Sequence, residues 1–376
     1  MRVFQLGEMF CGPGGMGLGV KLANMEWEAK GWQVQHAWAI DYDADSCATY
    51  RHSLCPEEEH KVICADVRNF DITILPKINA FAFGFPCNDF SLVGEKQGIY
   101  GKFGPLYQYG IHVLNQFEPD WFIAENVGGL RSANQGQTFL KILAELQGAG
   151  SGYELTTHLY NFADYGVPQI RQRIIIVGIK KCLNLKFLVP APTHLNQHIT
   201  ARQALETPPI LPGVANQEIT RQSASVVARL KHILPGENAW TANIPPELRL
   251  NVKGATMSQI YKRLDPDKPA YTITGSGGGG THVYHWEEHR ALTNRERARL
   301  QTFPDDFTFY GSKESVRRQI GMAVPPLAAK VIIDAILKTF AGIDYPTITP
   351  KWQMAQSSVT DYKQLRLLEQ TGCYLT

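Results

Sequence analysis

The alternation of short apolar runs with amphipathic stretches in the N-terminal half constrains the fold of this 376-residue chain most strongly. Strands that alternate with helices are typical of a parallel, doubly wound α/β sheet with helices on both faces. Ligands bind such sheets beyond the carboxyl ends of the strands, so strand ends are the first candidates for function. The predicted strands are Phe4–Phe10, Val34–Ile40, Ala80–Phe85, Trp121–Glu125 and Ile174–Ile179, and the predicted helices are Met16–Met25, Asp45–His52, Leu106–Gln116, Phe139–Leu146, Asn294–Thr302 and Leu327–Thr339.

A change of composition near residue 189 predicts a second domain. Eight prolines punctuate residues 190–246, which lack long periodic segments, and a glycine-rich run follows at residues 275–280. We therefore expect a doubly wound α/β domain at 1–188, a second, smaller domain at 189–305, and a return to the first domain with a C-terminal extension at 306–376.

The overall composition excludes several classes of protein. Hydrophobic residues make up 44% and aromatic residues 10% of the chain, enough for a large core rather than a disordered protein. No apolar run reaches the roughly 18–20 residues of a transmembrane helix, and no secretory signal begins the chain. Seven cysteines without a CxxC pair argue against a disulfide framework or a zinc site. We expect a soluble, cytoplasmic protein without metal, in which six cysteines are buried apolar residues and Cys87 is the exception.

Positive charge is concentrated in the middle of the chain. Residues 171–300 carry 18 Lys and Arg against 9 Asp and Glu, whereas the whole chain carries 37 against 35. A basic segment inside a mildly acidic body favours a polyanionic partner, although many basic faces are merely solvated.

A glycine-rich turn follows the first predicted strand. The sequence Phe10-Cys11-Gly12-Pro13-Gly14-Gly15-Met16 lets the main chain approach a ligand closely at the start of a helix, but its spacing is not the GxGxxG dinucleotide fingerprint. The second strand ends in Asp41, an acceptor for ribose hydroxyls, and Tyr42, an aromatic side chain for a base; Asp66 follows later. Each feature alone is more often structural, but in this order they favour a nucleoside cofactor.

Two further strand ends carry candidate catalytic groups. Pro86 lacks an N–H and ends the strand ladder, which places Cys87 at the carboxyl edge as a nucleophilic thiolate. The glycines after Ser91 suggest a loop that closes over a substrate. Glu125 ends an apolar strand, where desolvation raises the pKa of its carboxyl group so that it can donate a proton. The alternative interpretation is a carboxylate that caps the next turn. Arg171 and Arg173 alternate before the last strand and are predicted to share one face, where they suit a carbonyl, a phosphate or Glu125.

Six motif blocks in order make the chain resemble the DNA (cytosine-5) methyltransferase family, specifically prokaryotic type II modification enzymes. The blocks span residues 4 to about 335, nearly the whole chain, and are individually weak but jointly specific. They are Phe10-x-Gly12-x-Gly14-Gly15, Gly84-Phe85-Pro86-Cys87, Glu125-Asn126-Val127, Gln169-x-Arg171-x-Arg173, Arg290-Ala291-Leu292-Thr293-x-Arg295-Glu296-x-Ala298-Arg299-Leu300-Gln301-x-Phe303-Pro304 and Gln319-Ile320-Gly321-Met322-Ala323-Val324-Pro325-Pro326.

The resemblance implies a fold and a mechanism. The fold would be a Rossmann-like S-adenosylmethionine-dependent methyltransferase domain with residues 189–305 as target-recognition domain. Cys87 would attack C6 of a cytosine flipped out of double-stranded DNA, Glu125 would bind or protonate N3, and Arg173 would hold O2. C5 would take the methyl group of S-adenosyl-L-methionine, leaving S-adenosyl-L-homocysteine, before loss of the C5 proton and of the thiolate.

The resemblance also assigns binding residues. The predicted cofactor contacts are Phe10, Gly12, Gly14, Gly15, Met16, Asp41, Tyr42, Asp66, Val67, Phe85, Leu106, Met322 and Ala323. The predicted DNA contacts are Ser91, Lys262, Arg263, Thr272, Thr274, Ser276, Gly278 and Thr281, with Lys262 and Arg263 on phosphates. Two positions depart from the family pattern: Met322 replaces the usual Asn, and Asn88 replaces the common Gln.

Three alternatives remain open at this point. A tRNA cytosine methyltransferase would use the same scaffold, but the family's RNA-directed branch has a smaller insert. A catalytically silent DNA-binding homologue would not need the three catalytic groups that this chain retains. A nicotinamide-dependent oxidoreductase lacks support without GxGxxG. We expect a nucleoid-associated monomer that acts on double-stranded DNA, with a cognate restriction endonuclease as a further expected partner.

Overall fold

A computed structural model describes residues 1–85, 106–130, 136–251, 258–278 and 280–352. Its centre is a seven-stranded sheet of β1 (Arg2–Met9), β2 (Trp32–Asp41), β3 (Val62–Cys64), β4 (Ala80–Gly84), β5 (Trp121–Val127), β6 (Tyr153–Asn161) and β7 (Gln172–Lys180). The strand order is β3-β2-β1-β4-β5-β7-β6. The five predicted strands are present, and β3 and β6 were not foreseen. The α/β fold class is thus confirmed.

The direction of the last strand corrects the prediction of an all-parallel sheet. Strands β1 to β5 pair in parallel, but β7 lies between β5 and β6 and is antiparallel to both. Only residues 162–171 join β6 to β7, and a parallel crossover needs a dozen or more residues. The N-terminal end of β7 therefore lies at the same edge as the carboxyl ends of β4 and β5.

Helices cover both faces of the sheet, as predicted. The helices of the described residues, on the sheet and outside it, are α1 (Gly15–Trp27), α2 (Ala44–Leu54), α3 (Tyr107–Phe117), α4 (Gln137–Gly148), α5 (Ala201–Glu206), α6 (Ala224–Leu230), α7 (Asn294–Leu300), α8 (Lys313–Met322) and α9 (Pro326–Ala341). Alternation along β4 directs Ala80 and Ala82 toward α1 and α9, and Phe81 and Phe83 toward α3 and α4.

Helix α9 brings the chain back to the first domain. Its residues Ile332, Ile336 and Phe340 share one core with Phe4 of β1 and with α1. The stretch Lys313–Ala341 has the length and hydropathy of a membrane span, yet 67% of its apolar 18-residue part is buried inside the protein. Packing against the sheet accounts for its apolar character.

The described residues between 189 and 305 form short helices joined by irregular segments. A third core joins them to α8 and to Leu18 of α1 through side chains such as Ile273, Leu300 and Ile320. Thr293 caps α7 in a capping box with Glu296. The predicted boundaries at 188 and 305 remain a prediction, because α7 and α8 pack in the same core.

The cysteines follow the prediction only in part. Cys11, Cys47 and Cys55 are buried, but Cys64 and Cys182 are exposed, which corrects the expectation for those two. Cys64 ends a short strand near the sheet's edge and Cys182 follows β7, so neither reaches a core. Cys87 and Cys373 lie outside the described residues.

Candidate active site

Glu125 and Arg173 form an ion pair where the sheet's strand ends meet. The Arg173 Nε atom lies 2.9 Å from Glu125 Oε1, and each side chain is 14% exposed. The antiparallel register places Arg173 opposite Val127, two residues beyond Glu125. The guanidinium also donates to the Gln172 carbonyl at 2.8 Å. A partly buried pair of this kind holds both side chains in one geometry.

The carboxyl group of Glu125 faces the end of β4. Gly84 is its partner in the sheet, and a Cβ atom at Gly84 would lie 3.2 Å from Glu125 Oε2. The chain continues from Gly84 through Phe85 to Pro86 and Cys87. Cys87 and the predicted loop from Ser91 lie outside the described residues.

Asn126 is a functional candidate that the sequence reasoning did not assign to the site. Its side chain is buried and donates through Nδ2 to the Phe85 carbonyl at 3.1 Å. Its Oδ1 accepts from the Val127 N–H at 2.8 Å. Asn126 therefore fixes the last described residue before Pro86 and Cys87. Its place beside Glu125 in the third motif block was the available signal.

Arg171 does not join Arg173 at Glu125, which corrects the prediction that the two arginines share one face. Arg171 is 1% exposed, and its Nη atoms donate to the carbonyls of Ile273 at 2.9 Å, Gly321 at 3.0 Å and Ala323 at 3.0 Å. It precedes β7, so the two-residue alternation of a strand does not extend to it. Its contacts tie the start of β7 to the end of α8.

The glycine-rich turn after β1 is held by Asp41. The Gly12 N–H donates to Asp41 Oδ2 at 2.8 Å, and the Asp43 N–H donates to Oδ1 at 2.9 Å. Asp41 is 9% exposed; burial raises the pKa of its carboxyl group, and these main-chain hydrogen bonds oppose that shift. A carboxylate has about four lone-pair sites, so acceptor capacity remains for a ligand hydroxyl.

The turn presents open space at one glycine. Gly12 has φ +54°, and a Cβ there would meet nothing within 4 Å. At Gly15, by contrast, a Cβ would overlap the Val324 carbonyl, so this glycine permits close packing of the segment after α8. Phe10 also adopts a positive φ, 56°, a conformation that non-glycine residues rarely adopt.

The other predicted cofactor residues differ in exposure. Tyr42 is 68% exposed and Met322 64% exposed, so both side chains are accessible. Asp66 pairs with Arg68 through both carboxylate oxygens. Gly14, with φ +94°, is the N-cap residue of α1. The buried predicted residues are Met16, Val67, Phe85, Leu106 and Ala323.

Some of the predicted DNA-contact residues are exposed, and others are already engaged in contacts within the protein. Thr274, Ser276 and Gly278 are exposed, and the Thr274 and Ser276 hydroxyls are 2.6 Å apart. Lys262 lies over the Tyr271 ring at 4.8 Å. The Thr272 hydroxyl donates to the Ile170 carbonyl at 2.8 Å, and the Thr281 hydroxyl donates to the Gly278 carbonyl at 2.8 Å.

Arg263 is not available to a phosphate, which corrects its predicted role. It is 2% exposed, and its guanidinium donates to the carbonyls of Leu230, His285 and Trp286 and to His289 Nδ1. A basic residue type in a basic region does not distinguish a buried structural arginine from a surface contact.

A buried carboxyl group lies beneath the turn. Glu8 of β1 is 1% exposed and accepts from the Tyr50 hydroxyl at 2.8 Å. Burial raises the pKa of Glu8 to about 8, opposed by the Tyr50 hydrogen bond and reinforced by Asp41. Among the residues that the structure describes, no group of three or more His, Cys, Asp or Glu could hold a metal ion.

The sheet order and the site together define a Rossmann-like methyltransferase fold. The model of the family C-5 cytosine-specific DNA methylase matches residues 4–338, so the chain belongs to this family of DNA cytosine-C5 methyltransferases. It is therefore an enzyme of DNA methylation, which confirms the family suggested by the six motif blocks.

Individual relatives agree with the family assignment. The type II methyltransferase M.BbvI of Brevibacillus brevis is 57% identical over 362 residues, covering 94% of this chain and 96% of the relative. M.NgoFVII of Neisseria gonorrhoeae, also a type II methyltransferase, is 36% identical, covering 89% and 86%. A solved prophage-encoded DNA modification methyltransferase of E. coli has the same fold, with a TM-score of 0.68 at 22% identity, covering 90% of this chain and 99% of that one.

Proposed function

We propose that this enzyme methylates C5 of a flipped-out cytosine in a specific double-stranded DNA sequence, with S-adenosyl-L-methionine as methyl donor and Cys87 as nucleophile. The observation that carries the proposal is the ion pair of Glu125 with Arg173 beside the chain that enters Pro86 and Cys87. A base held there would meet a carboxyl group, a guanidinium and a thiol from three chain segments.

The residues around Gly12 fit the cofactor. Open space at Gly12, an accessible Tyr42 ring and spare acceptor capacity at Asp41 suit a nucleoside with ribose hydroxyls. When bound, S-adenosyl-L-methionine supplies an electrophilic methyl group. Asp41 would bind the ribose, Tyr42 would pack on the adenine, and Asp66 would need to share its carboxylate with Arg68. The other predicted cofactor contacts remain part of this proposal.

The chain's own groups carry the remaining chemistry. The Cys87 thiolate adds to C6, forming a C–S bond while the charge that develops at N3 and O2 is met by Glu125 and Arg173. C5 thereby becomes nucleophilic and accepts the methyl group, with S-adenosyl-L-homocysteine as the leaving group. Loss of the C5 proton and elimination of the thiolate then restore the aromatic ring and free Cys87. Arg171, which binds three carbonyls, would position this edge of the sheet rather than contact the base.

Methylation in cells tests the proposed reaction. The chain would be expressed in a host without DNA cytosine methylation, and the host DNA and RNA would each be sequenced after bisulfite treatment. Protected cytosines within one recurring sequence are expected, and Cys87→Ser should abolish them. Protection of RNA but not DNA would favour the tRNA alternative, and no protection by soluble protein would favour a silent homologue.

The type II names of the relatives support a restriction-modification setting. We propose a cytoplasmic, nucleoid-associated monomer with a target-recognition domain at 189–305 and a cognate restriction endonuclease that the modification protects against. Co-expression with that endonuclease should be tolerated only while Cys87 is intact.

A further inference from the structure

Two cysteines that the proposed mechanism does not use lie close together at the strand end that carries Asp41. Cys64 ends β3 and is exposed, whereas Cys47 of α2 is buried. In the register of β2 with β3, Cys64 is the partner of Asp41. The Cys47 Sγ atom lies 3.4 Å from the Asp41 carbonyl and 3.9 Å from the carbonyl of Ile63, the residue before Cys64. Both cysteines therefore adjoin the main chain at Asp41.

Strand alternation turns Cys64 toward the helix that carries Cys47. Successive side chains of a strand point to opposite faces of the sheet. Val62 shares a core with Cys47, and Ile63 packs against the core on the other face. Cys64 follows Val62 by two residues, so it points to the face of Cys47. A hydrogen bond between the two thiol side chains agrees with this placement.

The surroundings of the two thiols give them different reactivity. Burial raises the pKa of the Cys47 thiol, and the charges of Asp41 and Cys64 raise it further, so Cys47 stays protonated. Cys64 is open to reagents in solution. Arg51 donates from Nε and Nη2 to the Val62 carbonyl at 3.3 and 2.7 Å, which places a positive charge beside β3. Exposed thiols near positive charge are the ones that oxidants attack.

Both sulfur atoms contact the main chain that carries the proposed cofactor residues. The Cys64 Sγ atom lies 3.9 Å from the Tyr42 carbonyl, and Cys47 Sγ contacts that of Asp41. In a disulfide the sulfurs are about 2.05 Å apart and neither carries a hydrogen. Closing that bond draws the sulfurs together and removes both S–H donors from these carbonyls. We therefore expect it to displace Asp41 and Tyr42 from their cofactor-binding positions.

We propose that Cys64 and Cys47 form an oxidation site whose disulfide lowers the affinity of the enzyme for S-adenosyl-L-methionine. The effect on the cofactor rests on the proposed function, which assigns Asp41 and Tyr42 to the cofactor. The oxidant is a hydroperoxide, such as hydrogen peroxide.

The oxidation proceeds in two balanced steps. The Cys64 thiolate attacks one peroxide oxygen, so that an S–O bond forms, the O–O bond breaks, and the released hydroxide is protonated to water. The Cys47 sulfur then attacks the sulfenic sulfur of Cys64. The S–S bond forms as the S–O bond breaks, and the hydroxide leaves with the Cys47 proton as a second water. Two thiols are oxidised and one peroxide is reduced.

Peptide mapping after oxidation tests the site. Wild type, Cys64→Ser, Cys47→Ser and Cys182→Ser would be treated with hydrogen peroxide and mapped by mass spectrometry without reduction. We expect a disulfide between Cys47 and Cys64 in wild type and in Cys182→Ser. In Cys47→Ser, dimedone should instead trap a sulfenic acid at Cys64. Cys182 is the matched control, because it is the other exposed cysteine among the described residues and follows the far end of β7.

Calorimetric binding of S-adenosyl-L-homocysteine tests the effect on the cofactor site. Oxidised wild type should bind at least about fivefold more weakly than reduced wild type, the lower end of typical coupling between two sites. Dithiothreitol should restore the affinity. Cys64→Ser should bind equally before and after peroxide, which separates the effect from oxidation of Cys87. By linkage, saturating S-adenosyl-L-homocysteine should disfavour the disulfide by the same factor in a glutathione buffer.

Two results would overturn the proposal. One is oxidised wild type without a disulfide between Cys47 and Cys64, and the other is a disulfide form that binds S-adenosyl-L-homocysteine as tightly as the reduced protein. Both are measured on wild type, so they hold even if Cys47→Ser does not fold. Reduced wild type that binds no S-adenosyl-L-homocysteine would instead refute the proposed cofactor site. A protein that methylates DNA and binds equally in both redox states refutes only the oxidation switch.

Discussion

Arg173 and Glu125 form an ion pair because β7 is antiparallel to the strands on both sides of it. The 2.9 Å contact joins the N-terminal end of β7 to the carboxyl end of β5. In an all-parallel sheet these residues would lie at opposite edges. The antiparallel strand is therefore what brings a guanidinium to the edge where the catalytic cysteine is expected.

Removal of the Arg173 guanidinium should slow methyl transfer more than cofactor binding. We expect Arg173→Ala to lower kcat by roughly 10²–10³-fold, the typical loss for one preorganised donor to a developing charge. Arg173→Lys should recover little, since an ammonium cannot reproduce the planar fork. Single-turnover methylation and calorimetric cofactor binding would be measured together. Lys180→Ala, at the other end of the same strand, is the control; an equal loss there would contradict the assignment.

Asn126 should act through the position of the chain before Cys87. Asn126→Ala removes the donor to the Phe85 carbonyl and leaves a buried acceptor unpaired, which costs about 1–3 kcal/mol of stability. We also expect a lower kcat with an unchanged KM for the cofactor. Thermal unfolding and steady-state kinetics measure the two effects. A stability loss with wild-type kcat would show that Asn126 supports the fold alone.

Asp41 should determine cofactor affinity. Asp41→Asn keeps one acceptor oxygen but replaces the other with a donor, which opposes the Gly12 or Asp43 N–H. We expect the variant to bind S-adenosyl-L-homocysteine at least roughly tenfold more weakly, which is a loss of about 1.4 kcal/mol of binding free energy. Its affinity for DNA should be unchanged. Isothermal titration measures the first and fluorescence anisotropy the second. Equal affinity for the cofactor product in variant and wild type would exclude Asp41 from the site.

Glu8 should make stability fall as pH rises. The folded protein keeps this proton up to about pH 8, whereas an unfolded chain releases it near the ordinary value of 4.5. Glu8 therefore contributes stability that is complete below pH 4.5 and is lost progressively up to pH 8, on the order of 1 kcal/mol per pH unit.

The matched variant for this prediction is Glu8→Gln, which removes the titration and keeps the size of the side chain. Denaturant titrations from pH 5 to pH 8 should show that the unfolding free energy of wild type falls relative to that of the variant as pH rises. His36, whose pKa burial lowers to about 4, contributes with the opposite sign at lower pH and cancels in the comparison. Parallel curves would contradict a buried neutral Glu8.

Local sequence patterns predicted the strand ends and the glycine-rich turn. The strand ends at Asp41 and Glu125 and the turn at Gly12 follow from apolar periodicity and glycine placement, and the structure brings them to one edge. The direction of β7 depends on the length of a connection and on the previously unseen β6. Arg171 and Arg263 are buried and bind main-chain carbonyls, whereas Arg173 faces the site. Only long-range packing determines this difference, so local sequence could not predict it.

The most direct test of the account is covalent capture of Cys87. A duplex with 5-fluorocytosine at the methylated position would be incubated with the protein and S-adenosyl-L-methionine, since fluorine at C5 blocks the loss that releases the thiolate. We predict an adduct stable in denaturing gels, mapped by peptide mass spectrometry to Cys87 and absent in Cys87→Ser. Normal methylation of cytosine without any trapped adduct, or an adduct that persists in Cys87→Ser, would contradict the mechanism.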